Sequence, residues 1–195
     1  GTQRLAESDG PINHRVEVVT IPSFFQEYMA YDPVEDPTVY QWLTWPQQHL
    51  LGVTTGRVYS DGLGELETIR KKLQYFPKDV WLYLLMAQWR RIGQEEHFVS
   101  RTGDVSDELG SRVMAARIVH DLMFICFLME RTYAPYPKWF GSAFTQLSCA
   151  STMTPLLHQV LTAEKWPLRE EYLCRLYEFV AKKHNALNIT GPLPV

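Results

Sequence analysis

The segment from Asp79 to Arg131 constrains the fold more than any other part of this sequence. Apolar residues recur in it at three- and four-residue intervals, which is the pattern of amphipathic helices and not of strands. Gly103 interrupts the pattern and predicts two long helices, the first ending near Arg101. Asp104 or Ser106 can cap the second helix, which is predicted to continue to Arg131. The sequence therefore predicts a pair of long helices hinged at Gly103.

The rest of the chain predicts more helices and two short strands. His14–Ile21 and Gly56–Ser60 are both rich in β-branched or aromatic residues and are predicted to be strands. From Leu63 the pattern is helical almost to the C-terminus. The predicted fold is mainly α, a helical bundle with a small β remnant of one or two short strands at the N-terminal end. We expect residues 1–62 and residues 63–195 to be separate domains.

Composition and charge exclude several classes of protein. Hydrophobic residues make up 46% of the chain, which excludes disorder and predicts a sizeable core. A formal net charge of -3 argues against a nucleic-acid or anionic-membrane partner. No apolar run approaches the roughly 20 residues that a membrane span requires. Cys126, Cys149 and Cys174 lie in apolar helical contexts, so we expect buried, reduced thiols and a cytoplasmic protein.

The predicted helix pair carries more Arg, Glu, Gln and Asp than packing alone requires. The predicted apolar stripe of the second helix consists of Leu109, Val113, Ala116, Met123 and Phe127. Arg112 is expected within reach of Glu95 or Glu108, and Arg117 can pair with Asp121 one turn on. Two interpretations remain open. The ionic groups neutralise one another inside a bundle, or the arginines line a pocket that binds phosphate or carboxylate.

Two isolated charges are further candidates for binding. Glu17 lies in the middle of the first predicted strand, where a sheet would hold a carboxylate rigidly as a metal or base ligand. A solvent-facing Glu17 paired with a neighbouring residue is the alternative. Lys138 lies at a predicted helix start, where a cation opposes the helix dipole. Either a phosphate or the acidic side chain of Glu130 would compensate for that position.

The adjacent residues His120 and Asp121 are similar to the metal-binding His-Asp pair of helical phosphohydrolases. Such a site also needs an aspartate ligand later in the sequence, and no Asp follows Asp121. The other histidines have no zinc-site spacing between them. The sequence therefore disfavours a metal-dependent hydrolase.

Two motifs connect the chain to a known family. They are FPKDVWLYLLMAQWRRIGQEEHFVSRTGDVSDELGSR, from Phe76, and ERTYAPYPKWFGSAF, from Glu130. Both resemble a bacterial family of unknown function that is found with nucleotidyltransferase-like domains, and the likeness runs from about His14 to Thr190. The segments VEVVTI and HLLGVTTGRVYSDGLGELETIRKKL resemble the end of a polymerase-β-type nucleotidyltransferase core. The resemblance implies that residues 1–62 are part of such a core and that Glu17 is its third metal-site carboxylate.

The chain departs from that enzyme pattern because it has no Gly-Ser element and no Asp-x-Asp pair to hold magnesium. No catalytic residue is therefore assigned, and no cofactor is expected in this chain alone. The resemblance implies the C-terminal, substrate-recognising part of a longer protein that transfers a nucleotide from a magnesium–nucleoside triphosphate, for which ATP is a possible cofactor, to an acceptor hydroxyl. In related antibiotic nucleotidyltransferases the helical domain binds acceptor and phosphate. The residues to which this implies such roles are Arg91, Glu95, Arg101, Arg112 and Lys138.

The alternative function is a non-catalytic helical binding or dimerisation module. Its partner would be a small molecule, a nucleotide or a second copy of the chain. The two functions differ in one structural expectation. The acidic and basic side chains of the helix pair either line a pocket or are closed by pairing with one another.

Overall fold

The computed structural model describes residues 16–194, and this part of the chain is mainly helical with no strand. Its helices are α1 (Ile21–Met29), α2 (Val39–Thr44), α3 (Gln47–Thr54), α4 (Glu65–Lys72), α5 (Lys78–Glu95), α6 (Phe98–Asp104), α7 (Glu108–Met129), α8 (Pro137–Phe144), α9 (Ala150–Thr162) and α10 (Trp166–Ala186). The described residues up to Asp36 form one compact unit, and those from Pro37 onward form another. The predicted domain boundary after residue 62 stays a prediction.

The prediction of a β remnant is wrong for the described residues. His14 and Arg15 lie outside them, and residues 16–20 form no strand. Thr20 instead begins α1 through a capping box, in which its hydroxyl accepts from the Ser23 amide and Ser23 Oγ accepts from the Thr20 amide. Residues 56–60 also form no strand. β-branched residues favour strands only where a partner strand completes the hydrogen-bond ladder, and the described chain supplies none.

Helix α7 is the centre of the bundle and packs against α5, α6, α9 and α10. Its last five residues, from Ile125 to Met129, are all buried. The predicted stripe is wrong in the N-terminal half, where Leu109 is 74% exposed and Val113 is 54% exposed. Ala116 is also exposed. The buried face is turned toward Ala115 and Ile118, because the neighbouring helices and not the apolar periodicity decide which side is covered.

The predicted hinge at Gly103 is also misplaced. The first long helix ends at Glu95, and Gly103 lies inside the short α6 that follows. The N-cap of α7 is Asp107, whose side chain accepts from the Gly110 amide, and neither Asp104 nor Ser106 has that role. Gly103 is buried against the indole ring of Trp166. Its small size therefore serves helix packing and not chain reversal.

The cysteines divide between the core and the surface. Cys126 and Cys149 are buried, whereas Cys174 is exposed, which corrects the expectation of three buried thiols. Cys174 lies on the solvent side of α10 near Glu170 and Glu178. None of the helices within residues 16–194 combines the length and the apolar character needed to cross a bilayer.

An aromatic cluster holds the linker between α7 and α8 in place. Tyr133 donates a hydrogen bond from its hydroxyl to the Leu73 carbonyl at 2.9 Å. The ring of Phe76 meets that of Tyr133 edge-on with 5.0 Å between centroids, and Trp42 of α2 packs edge-on to Phe76 at 5.9 Å. Edge-to-face pairs of this kind prefer a defined geometry, so the linker has a fixed path past α3.

Glu130, at the end of α7, is tied to the start of α9. Its carboxylate accepts from the Ser148 amide at 2.7 Å, the Ser148 hydroxyl at 2.8 Å and the Cys149 amide at 3.1 Å. Lys183 of α10 lies 3.0 Å away and is the ionic partner, not Lys138. Burial alone would raise the pKa of Glu130, but the bonds from Ser148 and Lys183 outweigh it and lower the pKa to about 2.

We expect Glu130→Gln to destabilise the fold by about 1.5–3 kcal/mol at pH 7, the range for hydrogen bonds to a charged group. The folded pKa is about 2 against an ordinary 4.5. The stabilisation is therefore complete above pH 4.5 and is lost as the pH falls toward 2. Urea unfolding at pH 7, 4.5 and 3 should show the difference between wild type and variant shrinking. A difference that stays constant to pH 3 would contradict the assignment. Glu178→Gln, at an exposed pair with Lys182, is the control and should change little.

Candidate functional site

The ionic side chains of α5 and α7 pair with one another across the helix interface. Arg91 donates from Nε to Oδ2 of Asp121 at 2.8 Å. Arg117 donates to the carboxylate of Glu95. The sequence predicted Arg117 with Asp121, but Asp121 is 3% exposed and turned inward, whereas the Arg117 side chain is 49% exposed. Residues one turn apart on a helix therefore take separate partners on α5.

Asp121 is the buried centre of this network. Gln88 donates from its side-chain amide to the Asp121 carbonyl at 3.2 Å. Burial by itself would raise the pKa of the Asp121 carboxyl, but hydrogen bonds from His120 and Arg91 leave it below the ordinary value. The bond to Asp121 in turn raises the pKa of Arg91. Both members of the pair are therefore charged at neutral pH and neutralise each other.

The remaining predicted site residues do not join this network. Arg101 is exposed on α6. Arg112 donates to the backbone carbonyl of Glu164 at 3.1 Å and contacts neither predicted acid. Lys138 is exposed at the start of α8, with Nζ 5.0 Å from the ring centroid of Trp139. The structure thus brings Arg91 and Glu95 together and leaves the others apart.

Glu17 is exposed and lies before α1 in the first compact unit. Within residues 16–194, no three His, Cys, Asp or Glu side chains form a group that could hold a metal ion. A carboxylate alone does not bind magnesium, which needs several oxygen ligands in octahedral geometry. The role of Glu17 as a metal-site residue therefore stays a prediction.

An open groove of about 430 Å³ adjoins the ionic network at His120. The residues that line it are Pro46, Gln47, Gln48, His120, Phe124, Ala134, Pro135, Tyr136, Pro137 and Phe140. They come from the start of α3, the middle of α7, the linker after α7 and the helix α8. Cavities of this volume are in the usual range of small-molecule sites.

The ring of His120 forms one wall of the groove together with two phenylalanines. It stacks on Phe140 with 4.6 Å between centroids and an interplanar angle of 20°. Phe124 lies on a nearly parallel plane, at 6.3 Å and 14°. His120 Nδ1 is 3.5 Å from Oδ1 of Asp121, a long contact that orients the ring. The edge that carries Nε2 is left for other partners.

Two glutamines, Gln47 and Gln48, also line the groove. Gln47 accepts with Oε1 from the Ala134 amide at 2.8 Å, and Gln48 accepts with Oε1 from the Tyr136 amide at 3.0 Å. A backbone N–H can only donate, so these bonds fix which end of each side chain is the oxygen. Both Nε2 groups are directed elsewhere, and neither has a partner among residues 16–194.

Sequence reasoning missed both glutamines and recognised His120 only as a potential metal ligand. The signal available was local: Gln47 and Gln48 follow Pro46, and the motif YAPYP at Tyr133 predicts a turn. Nothing in either motif indicates that the two segments meet.

One family model matches the chain. Its description is "Domain of unknown function (DUF4037)", and it covers residues 42–140. This range runs from α2 into α8 and includes every residue that lines the groove. No curated protein and no solved structure matches the chain.

Proposed function

The chain belongs to the family described as Domain of unknown function (DUF4037), and we propose that it is the helical, ligand-recognising portion of a nucleotidyltransferase-like protein. The observation that carries the proposal is the open groove at His120. It lies next to an ionic network whose acidic and basic side chains are paired with one another. The groove is a concave site with a few polar groups on apolar walls, which is the usual form of a small-molecule site. The ligand recognised there would be the acceptor substrate.

The charged residues of α5 and α7 have a different role in this proposal. A guanidinium that already donates to a carboxylate has fewer N–H groups left to bind a phosphate. Arg91 and Arg117 would therefore hold α5 against α7, beside the groove. Magnesium and ATP would be held by a nucleotidyltransferase core of which residues 1–62 would be one part and to which Glu17 would contribute one carboxylate. That core would supply the transfer of the nucleotide to an acceptor hydroxyl.

The test is calorimetric titration of magnesium–ATP into the protein encoded by the complete native reading frame. We expect binding in the range of about 1 μM to 1 mM, typical of enzyme substrates. The affinity should fall when magnesium is omitted and when Glu17 is replaced by Gln. The matched control is Glu27→Gln in α1, which should leave the affinity unchanged. Absence of magnesium–ATP binding by the unmodified protein would remove the nucleotidyltransferase role.

A non-catalytic dimerisation module is the second candidate, and two observations favour it. Arg91 and Glu95 are paired with Asp121 and Arg117 and do not line the groove. Leu109 and Val113 are large apolar residues one turn apart on α7, and both are more than half exposed. Apolar surface of this kind is often covered in an assembly. Sedimentation velocity should then show a dimer that Leu109→Glu converts to a monomer. If the wild-type chain stays monomeric over a 100-fold range of protein concentration, this candidate is eliminated.

A further inference from the structure

We propose that the groove at His120 binds an uncharged planar heterocycle of the nucleobase type. The ring would stack in line with the aromatic wall and would accept hydrogen bonds from the side-chain amides of Gln47 and Gln48. This inference names the ligand class of the recognition site and rests on the ligand-recognising role proposed above.

The aromatic wall argues for a flat ligand. Phe124, His120 and Phe140 lie on nearly parallel planes, with interplanar angles of 14° and 20° to the histidine. The His120 side chain is 57% exposed, so part of this stack remains open. Tyr136, which is 42% exposed, adds a further ring at the same groove. Aromatic side chains that leave a ring face open are the usual platform for nucleobases and similar heterocycles.

The charges around the groove argue for a neutral ligand. None of the residues that line it is Asp, Glu, Lys or Arg. A phosphate or carboxylate placed there would lose hydration without gaining a cation. The carboxylate of Asp121, which is next to His120 in the sequence, is already occupied by Arg91 and His120. The part of the ligand that enters the groove is therefore uncharged.

The polar groups define the edge of the ligand. The Nε2 groups of Gln47 and Gln48 are donors and require acceptors such as a ring carbonyl or a ring nitrogen. His120 faces Asp121 through Nδ1, so a proton on Nδ1 leaves Nε2 as an acceptor for a ligand N–H. A nucleobase has hydrogen-bond acceptors beside a donor on one edge of a planar ring, whereas a phenyl ring has neither acceptors nor donors.

Binding is measured by calorimetry and by ¹H–¹⁵N shift mapping on the 195-residue chain, without magnesium or ATP. The probes are adenosine, uridine, uridine monophosphate and phenol. We expect at least one nucleoside to bind with a dissociation constant below about 1 mM. Its shifts should centre on residues 46–48 and 134–140. Uridine monophosphate should bind no more tightly than uridine, and phenol should bind at least tenfold more weakly than the preferred nucleoside.

Two conservative variants test the named contacts. Gln48→Glu keeps the acceptor for the Tyr136 amide and removes the donor. His120→Phe keeps the stack and removes the ring nitrogens. Each should weaken nucleoside binding about tenfold or more, with the thermal unfolding midpoint of each variant recorded to confirm folding. The controls are Gln159→Glu and His158→Phe, the same changes at exposed positions of α9 outside the groove. Both controls should bind like wild type.

Four results would overturn the inference. They are no nucleoside binding, phenol binding as tightly as a nucleoside, affinity that neither groove variant changes, and uridine monophosphate binding tenfold more tightly than uridine. Magnesium–ATP binding by the complete protein is a separate measurement. If a nucleoside binds in the groove but the complete protein does not bind magnesium–ATP, only the nucleotidyltransferase role is removed. If the complete protein binds magnesium–ATP but no nucleoside binds in the groove, only the heterocycle inference is removed.

Discussion

Arg169→Ala is expected to lower the free energy of unfolding by about 3–5 kcal/mol, the cost of breaking a buried ionic contact. Arg169 is completely buried in α10. Its Nη1 donates to the Ser111 hydroxyl at 2.6 Å and lies 3.4 Å from Oε2 of Glu108, and its Nη2 donates to the Ala163 carbonyl at 2.9 Å. Alanine would leave the Ser111 and Ala163 groups without this donor and would open a cavity.

Urea unfolding followed by circular dichroism measures this effect, and Arg175→Ala is its matched control. Arg175 lies on the same helix, its side chain is 56% exposed, and its partner is Glu171 one turn away. We expect the control to cost less than about 1 kcal/mol. Arg169→Met should cost less than Arg169→Ala because it fills more of the cavity. A loss below 1 kcal/mol for Arg169→Ala would show that the contacts of the buried guanidinium contribute little.

Gly103→Ala is expected to cost about 3 kcal/mol, at the upper end for overpacking of a core. A Cβ added at Gly103 would lie 2.1 Å from Cγ of Trp166 and 2.4 Å from its Cδ1. Cγ is the attachment point of a rigid ring, so the clash cannot be relieved by rotating the far end of a side chain. Either α6 or the start of α10 has to move.

The control for this prediction is Gly93→Ala in α5, where an added Cβ meets nothing within 4 Å. Alanine favours a helix over glycine, so we expect this change to stabilise the fold by up to about 1 kcal/mol. In a Trp166→Ala background the cost of Gly103→Ala should disappear, which a double-mutant cycle measures. Equal effects at the two glycines would contradict the packing role of Gly103.

These two variants and the groove variants address different properties of the molecule. Neither Arg169 nor Gly103 lines the groove. Their effects belong to the junction of α6, α7 and α10, where Glu108 also accepts from the Trp166 amide at 3.3 Å. Stability and ligand binding can therefore be measured as separate readouts.

Several elements were predictable because the signals are local. Pro167 favours the first turn of a helix, and α10 begins at Trp166 with Pro167 in its first turn. The long segment from Asp79 was correctly predicted to be helical. The prediction of a strand at residues 16–20 was wrong, because β-branched residues favour a strand only where a partner strand is present. The capping box at Thr20 was the competing local signal.

Side-chain partners were less predictable than helices. Arg117 and Asp121 have the spacing of a helical ion pair, yet each bonds to α5. The choice of partner depends on how far α7 is rotated about its axis. The exposure of Leu109 and Val113 shows that the rotation inferred from apolar spacing alone was wrong. Lys138 likewise lost its expected partner, because Glu130 is turned toward Ser148 and Lys183.

The sequence by itself determined the helical class of this protein, since helix periodicity and caps depend on residues within a few positions of one another. The tertiary structure alone decided which charges neutralise each other and where the groove opens. Gln47 and Gln48 reach the Ala134 and Tyr136 amides across 87 and 88 residues of sequence. Contacts over such separations follow from the rotation and crossing of packed helices, which no local pattern encodes.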